Sequence, residues 1–327
     1  MEDLGITSVP GVRVGHYTDL NNATGCTVVL CEGGAAGGVD VRGSAPGTLG
    51  TDSLAPTALV EQIHAVVLSG GSAFGLNAVA GVVSYLEEKG VGIEFGNATI
   101  PIVSGAILFD LGIVGGDVRP GPDEGRAACL AASSCTVDEG TVGAGTGATV
   151  AKLLGRDRGL KGGIGTSALD LGEGLVVGAI VAVNAVGGVV DPETSEIVAG
   201  PLDEDGLTML DSMKIITSPG FETPQPRAGQ NTTIGVVATN ATLTKSQANK
   251  LADVSHDGLA MAVRPAHLMS DGDTMFALAT GGHEGEANMN RLCAAAALCT
   301  SRAIVRAVRK ATGLGGVKAV SELKTSI

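Results

Sequence analysis

The chain has 327 residues, enough for two domains of about 150 residues or one large layered domain, and its 44% hydrophobic and 17% charged residues exclude a disordered, fibrous or coiled-coil protein. A formal net charge of -13, with no Trp, two Tyr and five Phe, argues against nucleic acid or an anionic membrane as a partner, because those surfaces are bound through clustered Lys and Arg and, for bases, through aromatic platforms. The 51 glycines have no G-X-Y period, which rules out collagen and implies tight turns and close backbone approach.

In chain order, the start MEDLGITSVPGV has neither a basic nor an apolar signal region, so a cytoplasmic protein with reduced cysteines is expected. Strands are expected over 27–30 and 65–68, then a helix over 72–89, a strand over 102–108 and a helix over 124–132. The apolar stretch 174–190 is shorter than the ~20 residues of a membrane span and is broken by Asn184, so it reads as sheet, with a strand over 176–183. The segment 192–230 is polar, carries Pro201, Pro219, Pro224 and Pro226, and reads as an exposed, extended loop. It runs straight into a strand over 234–239, then a helix over 245–263, a strand over 274–279 and a helix over 286–310. That last helix has a small-residue stripe (Leu292, Ala295, Ala296, Cys299, Ala303, Ile304) suited to close packing, with Arg302, Arg306 and Arg309 toward its C-terminal half.

Most common motifs fail on spacing. Residues 143–152 form a glycine run ending in Lys152, but neither a Walker A loop nor a dinucleotide loop has that spacing. Residues 70–75 miss the nucleophile elbow because Phe74 stands at its second glycine, so Ser72 reads as a helix cap. The histidines His16, His64, His256, His267 and His283 show no metal-ligand spacing, and Cys26, Cys31, Cys129, Cys135, Cys293 and Cys299 never form CxxC. Asp271-Gly-Asp273 lacks the remaining ligands of a calcium loop and reads alone as a turn. No metal or cofactor is expected.

The order of the pieces is more specific than any one of them. GQNTTIGVVATNA at 229–241, a helix, and SDGDTMFALATG at 270–281 resemble the DmpA/NylC-type family of self-processing N-terminal-nucleophile hydrolases. GVRVGHYTD, VVLSGGSAFGLNAVAGV, LFDLG, VGAGTGATVAK, KGGIGT and VGAIVAVNAVG extend the likeness nearly end to end. The resemblance implies an αββα-like layered α/β fold and self-cleavage between Asn231 and Thr232, giving fragments 1–231 and 232–327. It also implies Thr232 as nucleophile, Asp271 and Asp273 as paired carboxylates, and Asn184 and Lys152 as donors, with several αβ units assembled as a homo-oligomer, a tetramer. The nylon-oligomer branch fits through Asp271, where the aminopeptidase branch commonly has Ser. Endo-hydrolysis of linear 6-aminohexanoate oligomers is therefore expected, with an aminopeptidase as the alternative. Phe109 departs from a tyrosine that some nylon-oligomer hydrolases carry.

The chemistry is coherent beside the resemblance. A Thr hydroxyl needs a base within reach, and an α-amine of pKa ~7.7–8.0 on the same residue is one, created only by cleavage before Thr232. Coupled carboxylates at Asp271 and Asp273 would share a proton, and Asn184 and Lys152 would stabilise an oxyanion. Taken singly, Asn184 would be a sheet-edge cap, Lys152 a surface lysine closing a helix, and Thr232 a strand's first residue. Two other classes compete: an uncleaved, non-catalytic small-molecule binder and a nucleotide binder using 143–152.

Overall fold

The computed structural model describes residues 4–222 and 231–323. Nine strands form one continuous sheet: β1 Arg13–Asp19, β2 Thr24–Val41, β3 Thr48–Leu49, β4 Ile63–Ser69, β5 Val103–Ile107, β6 Gly163–Asp170, β7 Val176–Asn184, β8 Thr232–Thr239 and β9 Thr274–Ala279. Their order is β6-β7-β8-β9-β2-β4-β5-β3, with β1 also paired to β2. The β8/β9 and β4/β5 pairs are parallel and the others antiparallel.

The 18-residue β2 belongs to both halves of this sheet. Its residues 26–30 pair with β4, its residues 36–41 pair with β9, and the β4 register shifts between Leu30 and Ala35. The halves face one another across an apolar layer. Val29, Val66, Leu68 and Ala106 meet Ile180, Ala182, Ile234, Val236, Phe276 and Leu278 there. The alternate residues of the same strands face outward, as a pleat requires. Val177, Ala179, Val181 and Val183 of β7 pack against helices α3 (Lys245–Ala262) and α4 (Met289–Arg309). Cys26, Val28, Ala65 and Val67 pack against α1 (Ala78–Glu88) and α2 (Pro122–Ala131). The layers run helix, sheet, sheet, helix, matching the expected αββα arrangement. Each fully buried Val, Leu, Ile or Phe contributes ~1.5–3 kcal/mol through area removed from water.

Capping explains where two helices begin. The Thr244 hydroxyl accepts from the Gln247 amide before α3, and the Asn288 carboxamide accepts from Asn290 and Arg291 before α4, so α4 starts three residues later than the expected 286. The helix expected from 72 instead opens with a 3-10 turn, Ser72–Asn77, and becomes α-helical at Ala78. Ser72 is no cap. The N-cap of that turn is Gly71, and Ser72, with φ +54°, donates its amide to the Leu108 carbonyl at 3.0 Å.

The segment 192–230 is also less irregular than expected. Its described part holds a strand, Ile197–Ala199, that pairs with Gly188–Val190, and a helix, Ser212–Ile216, capped by Asp211. Residues 223–230, with Pro224 and Pro226, lie outside the described residues. Cys26, Cys31, Cys129 and Cys299 are buried, Cys293 is half-buried and Cys135 is exposed. Among the described residues no helix is long and apolar enough to cross a membrane.

Candidate active site

Sheet register assembles the site. Antiparallel pairing sets Asn184, the last residue of β7, opposite Thr232, the first of β8. Parallel pairing of β8 with β9 sets the Asp271-Gly-Asp273 turn beside the same end, and Asn231 forms an isolated bridge with Asp271. Residues from three separate stretches therefore meet at one sheet end. Thr232, Asp271, Asp273 and Asn184 are all at most 2% exposed.

The Asn231 carbonyl is held from two directions. Thr232 Oγ1 donates to it at 2.6 Å and the Gly272 amide at 2.9 Å. Only glycine fits at 272, since a Cβ there would stand 2.9 Å from Thr232 Oγ1 and 2.7 Å from the Ala45 carbonyl. The two carboxylates differ. Asp273 Oδ1 accepts from the Thr233 amide at 2.8 Å, and its Oδ2 accepts from the His267 amide at 3.1 Å and lies 2.8 Å from His267 Nδ1. Asp271 Oδ2 accepts from the Leu268 amide at 2.8 Å, while its buried Oδ1 has no partner among the described residues. Burial, and then the neighbouring Asp273 charge, push the Asp271 carboxyl up to about 7, against the Leu268 hydrogen bond and Lys152.

Lys152 Nζ donates to the Asn184 backbone carbonyl at 3.0 Å and to its Oδ1 at 2.9 Å. The Thr149 amide donates to the same Oδ1 at 3.0 Å, and Asn184 Nδ2 donates to the Phe109 carbonyl at 3.0 Å. Lys152 is thus neither a surface lysine nor the end of a helix. Desolvation, and then the Arg156 charge, hold its amine well below the usual lysine range. Asn184 likewise caps no exposed edge, because β7 lies between β6 and β8.

The glycine run before Lys152 is packed, not an open phosphate cradle. It forms a 3-10 turn, Gly143–Gly145, and a strand, Thr149–Val150, and a Cβ at Gly143 would meet Thr27 Oγ1 at 2.3 Å and His16 Nδ1 at 2.4 Å. Among the described residues no group of His, Cys, Asp and Glu is placed to hold a metal ion.

All the residues singled out in the sequence therefore come together. The contributors not singled out are the Gly272, Thr233 and Leu268 amides, Thr149 and His267. A backbone donor has no letter of its own, and nothing in its spacing marks His267. Phe109 contributes through its carbonyl, which any residue supplies, while its ring lies 5.7 Å from the Arg156 guanidinium.

Comparison with known proteins gives the family and the fold. Peptidase family S58 matches residues 5–321. An uncharacterized aminopeptidase of Mycobacterium leprae is 41% identical, with 95% of this chain and 92% of the relative covered. The 6-aminohexanoate-oligomer endohydrolase of Paenarthrobacter ureafaciens is 32% identical, with 83% of this chain and 73% of the relative covered. The expectation of a nylon-oligomer enzyme is thus met at the level of the family, while the aminopeptidase relative is the more similar of the two. Among solved structures, a Burkholderia sp. beta-aminopeptidase superposes with a TM-score of 0.70 at 23% identity, over 98% of this chain and 92% of that one. The L-aminopeptidase D-Ala-esterase/amidase of Ochrobactrum anthropi, described as a variant of the Ntn hydrolase fold, gives 0.70 at 21%, over 96% and 90%. With an Ntn-hydrolase-like α/β fold and a match over nearly its whole length, the chain belongs to peptidase family S58 and is a hydrolase of that family.

Proposed function

We propose that the chain cleaves itself between Asn231 and Thr232 and then acts as an aminopeptidase through the new N-terminal threonine. The contact that carries this reading is Thr232 Oγ1 at 2.6 Å from the Asn231 carbonyl oxygen, the nucleophile already against the group it attacks. In the first step Oγ1 bonds to the Asn231 carbonyl carbon, and the Gly272 amide stabilises the oxyanion, an effect worth about 3 kcal/mol per donor. The C–N bond then breaks as the departing nitrogen takes up the hydroxyl proton. Water hydrolyses the ester, leaving an Asn231 carboxylate and a Thr232 that carries both hydroxyl and α-amine.

In turnover the α-amine takes the hydroxyl proton as Oγ1 attacks a substrate amide. The leaving amine takes that proton, and water releases the acyl group. Asp273 holds the Thr233 amide and so the start of β8, and Lys152 and Asn184 add polar groups beside the nucleophile. Likeness to aminopeptidases over 95% of the chain favours a substrate with a free amine. A second reading, internal cleavage of linear oligoamides, draws on the 32% identity to the endohydrolase and on Asp271 at the head of the turn.

Two measurements test these statements. The parent should give two masses split at Asn231–Thr232, and Thr232→Ala should stay intact; a Thr232→Ala protein cut at the same bond would sink the mechanism. For substrate, free and N-acetylated peptides are compared with free and N-acetylated 6-aminohexanoate oligomers by product mass. Release of single N-terminal residues from free substrates alone supports the aminopeptidase. Internal cutting of blocked oligomers replaces it with the second reading.

A further inference from the structure

Beyond the nucleophile and its carboxylates lies a pair of packed imidazoles with no role in the steps above. His267 precedes the Asp-Gly-Asp turn, and its ring packs edge-on against His256 of α3 with centroids 4.9 Å apart. His256 is fully buried, and the His267 side chain is 19% exposed. His256 Nε2 lies 3.0 Å from the Asp40 backbone carbonyl, an acceptor, so Nε2 carries the hydrogen. Asp273 fixes the other ring in the same way. An ionised carboxylate only accepts, so His267 Nδ1 carries the hydrogen in the 2.8 Å contact with Oδ2. The remaining nitrogens, His256 Nδ1 and His267 Nε2, are buried without partners among the described residues.

His267 thus gives Asp273 two of its three N–H donors, one from the backbone and one from the ring, and the third comes from Thr233. It does so from φ +59°, a conformation that non-glycine side chains seldom adopt. Among the described residues Asp271 receives one donor, on Oδ2, and its buried Oδ1 has no partner, as an oxygen carrying a proton would. Donors to a carboxylate favour its charged form, so the two acids are driven to opposite states.

Resting on the proposed function, we infer that His267 is a positioning residue: it pins Asp273 as the ionised member of the pair and leaves Asp271 as the member that holds the proton beside Thr232. The charged and titratable groups around this unit are Asp271 on its own turn, His256 on α3, Asp40 with its ion-pair partner Arg42 at the end of β2, and Lys152 beside Asn184. The direction of the Asp271 shift agrees, since a carboxyl displaced upward is the one that holds the proton.

The test separates the ring donor from the unusual backbone. His267→Gly keeps the positive φ and loses the ring N–H, while His267→Asn tolerates that φ and keeps a side-chain donor. Self-cleavage rate of the full-length precursor is followed by intact mass against pH, with kcat and KM of the matured enzyme on a free peptide. For His267→Gly the acidic limb should move up by about one pH unit and kcat should fall about tenfold with KM unchanged, because an ionised carboxylate that loses a donor binds its proton more tightly. His267→Asn should restore most of both. A glycine variant with the parent's pH profile overturns the inference. Carboxyl-carbon NMR of the uncut Thr232→Ala precursor gives a readout that needs no change at 267: Asp273 should be ionised throughout while Asp271 titrates, and the reverse order also overturns it. A parent that never cleaves at Asn231–Thr232 fails the proposed function itself, whatever the His267 variants do.

Discussion

Two carboxyls two residues apart in one turn have different chemistry because the chain spends its N–H donors unequally. Among the described residues three reach Asp273 and one reaches Asp271. A pH dependence follows. Asp271 is raised from its ordinary 3.8 to about 7, so between those values the unfolded chain ionises this carboxyl while the folded chain keeps the proton. The unfolded state then binds fewer protons, and stability falls as pH rises through that window. Lys152, displaced downward, acts in the opposite sense, because its unfolded form holds the proton that the folded form gives up. The comparison that isolates Asp271 is therefore parent against Asp271→Asn in uncut Thr232→Ala protein. The melting temperature of the Asn form should rise relative to the parent between pH 5 and pH 8. A constant difference would mean that Asp271 is ionised in the fold at both pH values. The residue types at this site were legible in the sequence, as were Asn231, Thr232 and the Asp-Gly-Asp turn. The asymmetry was not, because it comes from backbone amides of Thr233, His267 and Leu268.

At the scale of elements, close backbone approach replaces the aromatic filling that this chain lacks. α3 and α4 pack along one another, and a Cβ on Gly258 of α3 would stand 2.1 Å from the Ala297 carbonyl of α4. α4 in turn lies on β6, where Gly165 would meet the Ala303 carbonyl at 2.2 Å. Two principles give opposite signs for Gly258→Ala. Helix propensity alone predicts a gain of ~1 kcal/mol, and overpacking predicts a loss of ~1–3 kcal/mol. Here the contact is backbone against backbone, which has no rotamer to yield, so the overpacking cost wins and a lower melting temperature is expected. A higher one would show that the helices can separate at little cost. The same glycines hid strands from the sequence. β2 continues through a Gly- and Ala-rich run to Val41 and β6 begins at Gly163, where low strand propensity masks segments that tertiary packing makes extended. The long apolar strands β7, β8 and β9 and the stripe of α4 were legible because their side chains carry the pattern.

For the whole molecule, the proposed cut falls at a place the fold tolerates. The fragment beginning at Thr232 supplies β8, β9, α3 and α4, and its two strands in the main sheet lie between β7 and β2 of the other fragment. β8 pairs with β7 over eight residues, Val177–Asn184 against Thr232–Thr239, and α3 and α4 cover the outer face of that half. Cutting one peptide bond removes none of these contacts. The two fragments should therefore co-elute as one species under native conditions after cleavage and separate only in denaturant. Two native peaks after complete cleavage would contradict this interlocked arrangement.

The sequence by itself determined the alternation of apolar strands and amphipathic helices, and so the layered class, because hydrophobic period is written in side chains at neighbouring positions. It also determined the chemical types at the site: a threonine after an asparagine, two acids around a glycine, one amide and one amine. Only the tertiary structure decided that Lys152, Asn184, Thr232 and Asp271 occupy one sheet end, since that depends on the register of β7 with β8 and of β8 with β9. It alone decided that Gly272 offers its amide to the Asn231 carbonyl and that His267 turns its ring to Asp273. Register and backbone direction arise from contacts between residues far apart in the chain, and a backbone N–H is the same group at almost every position until the fold points it somewhere.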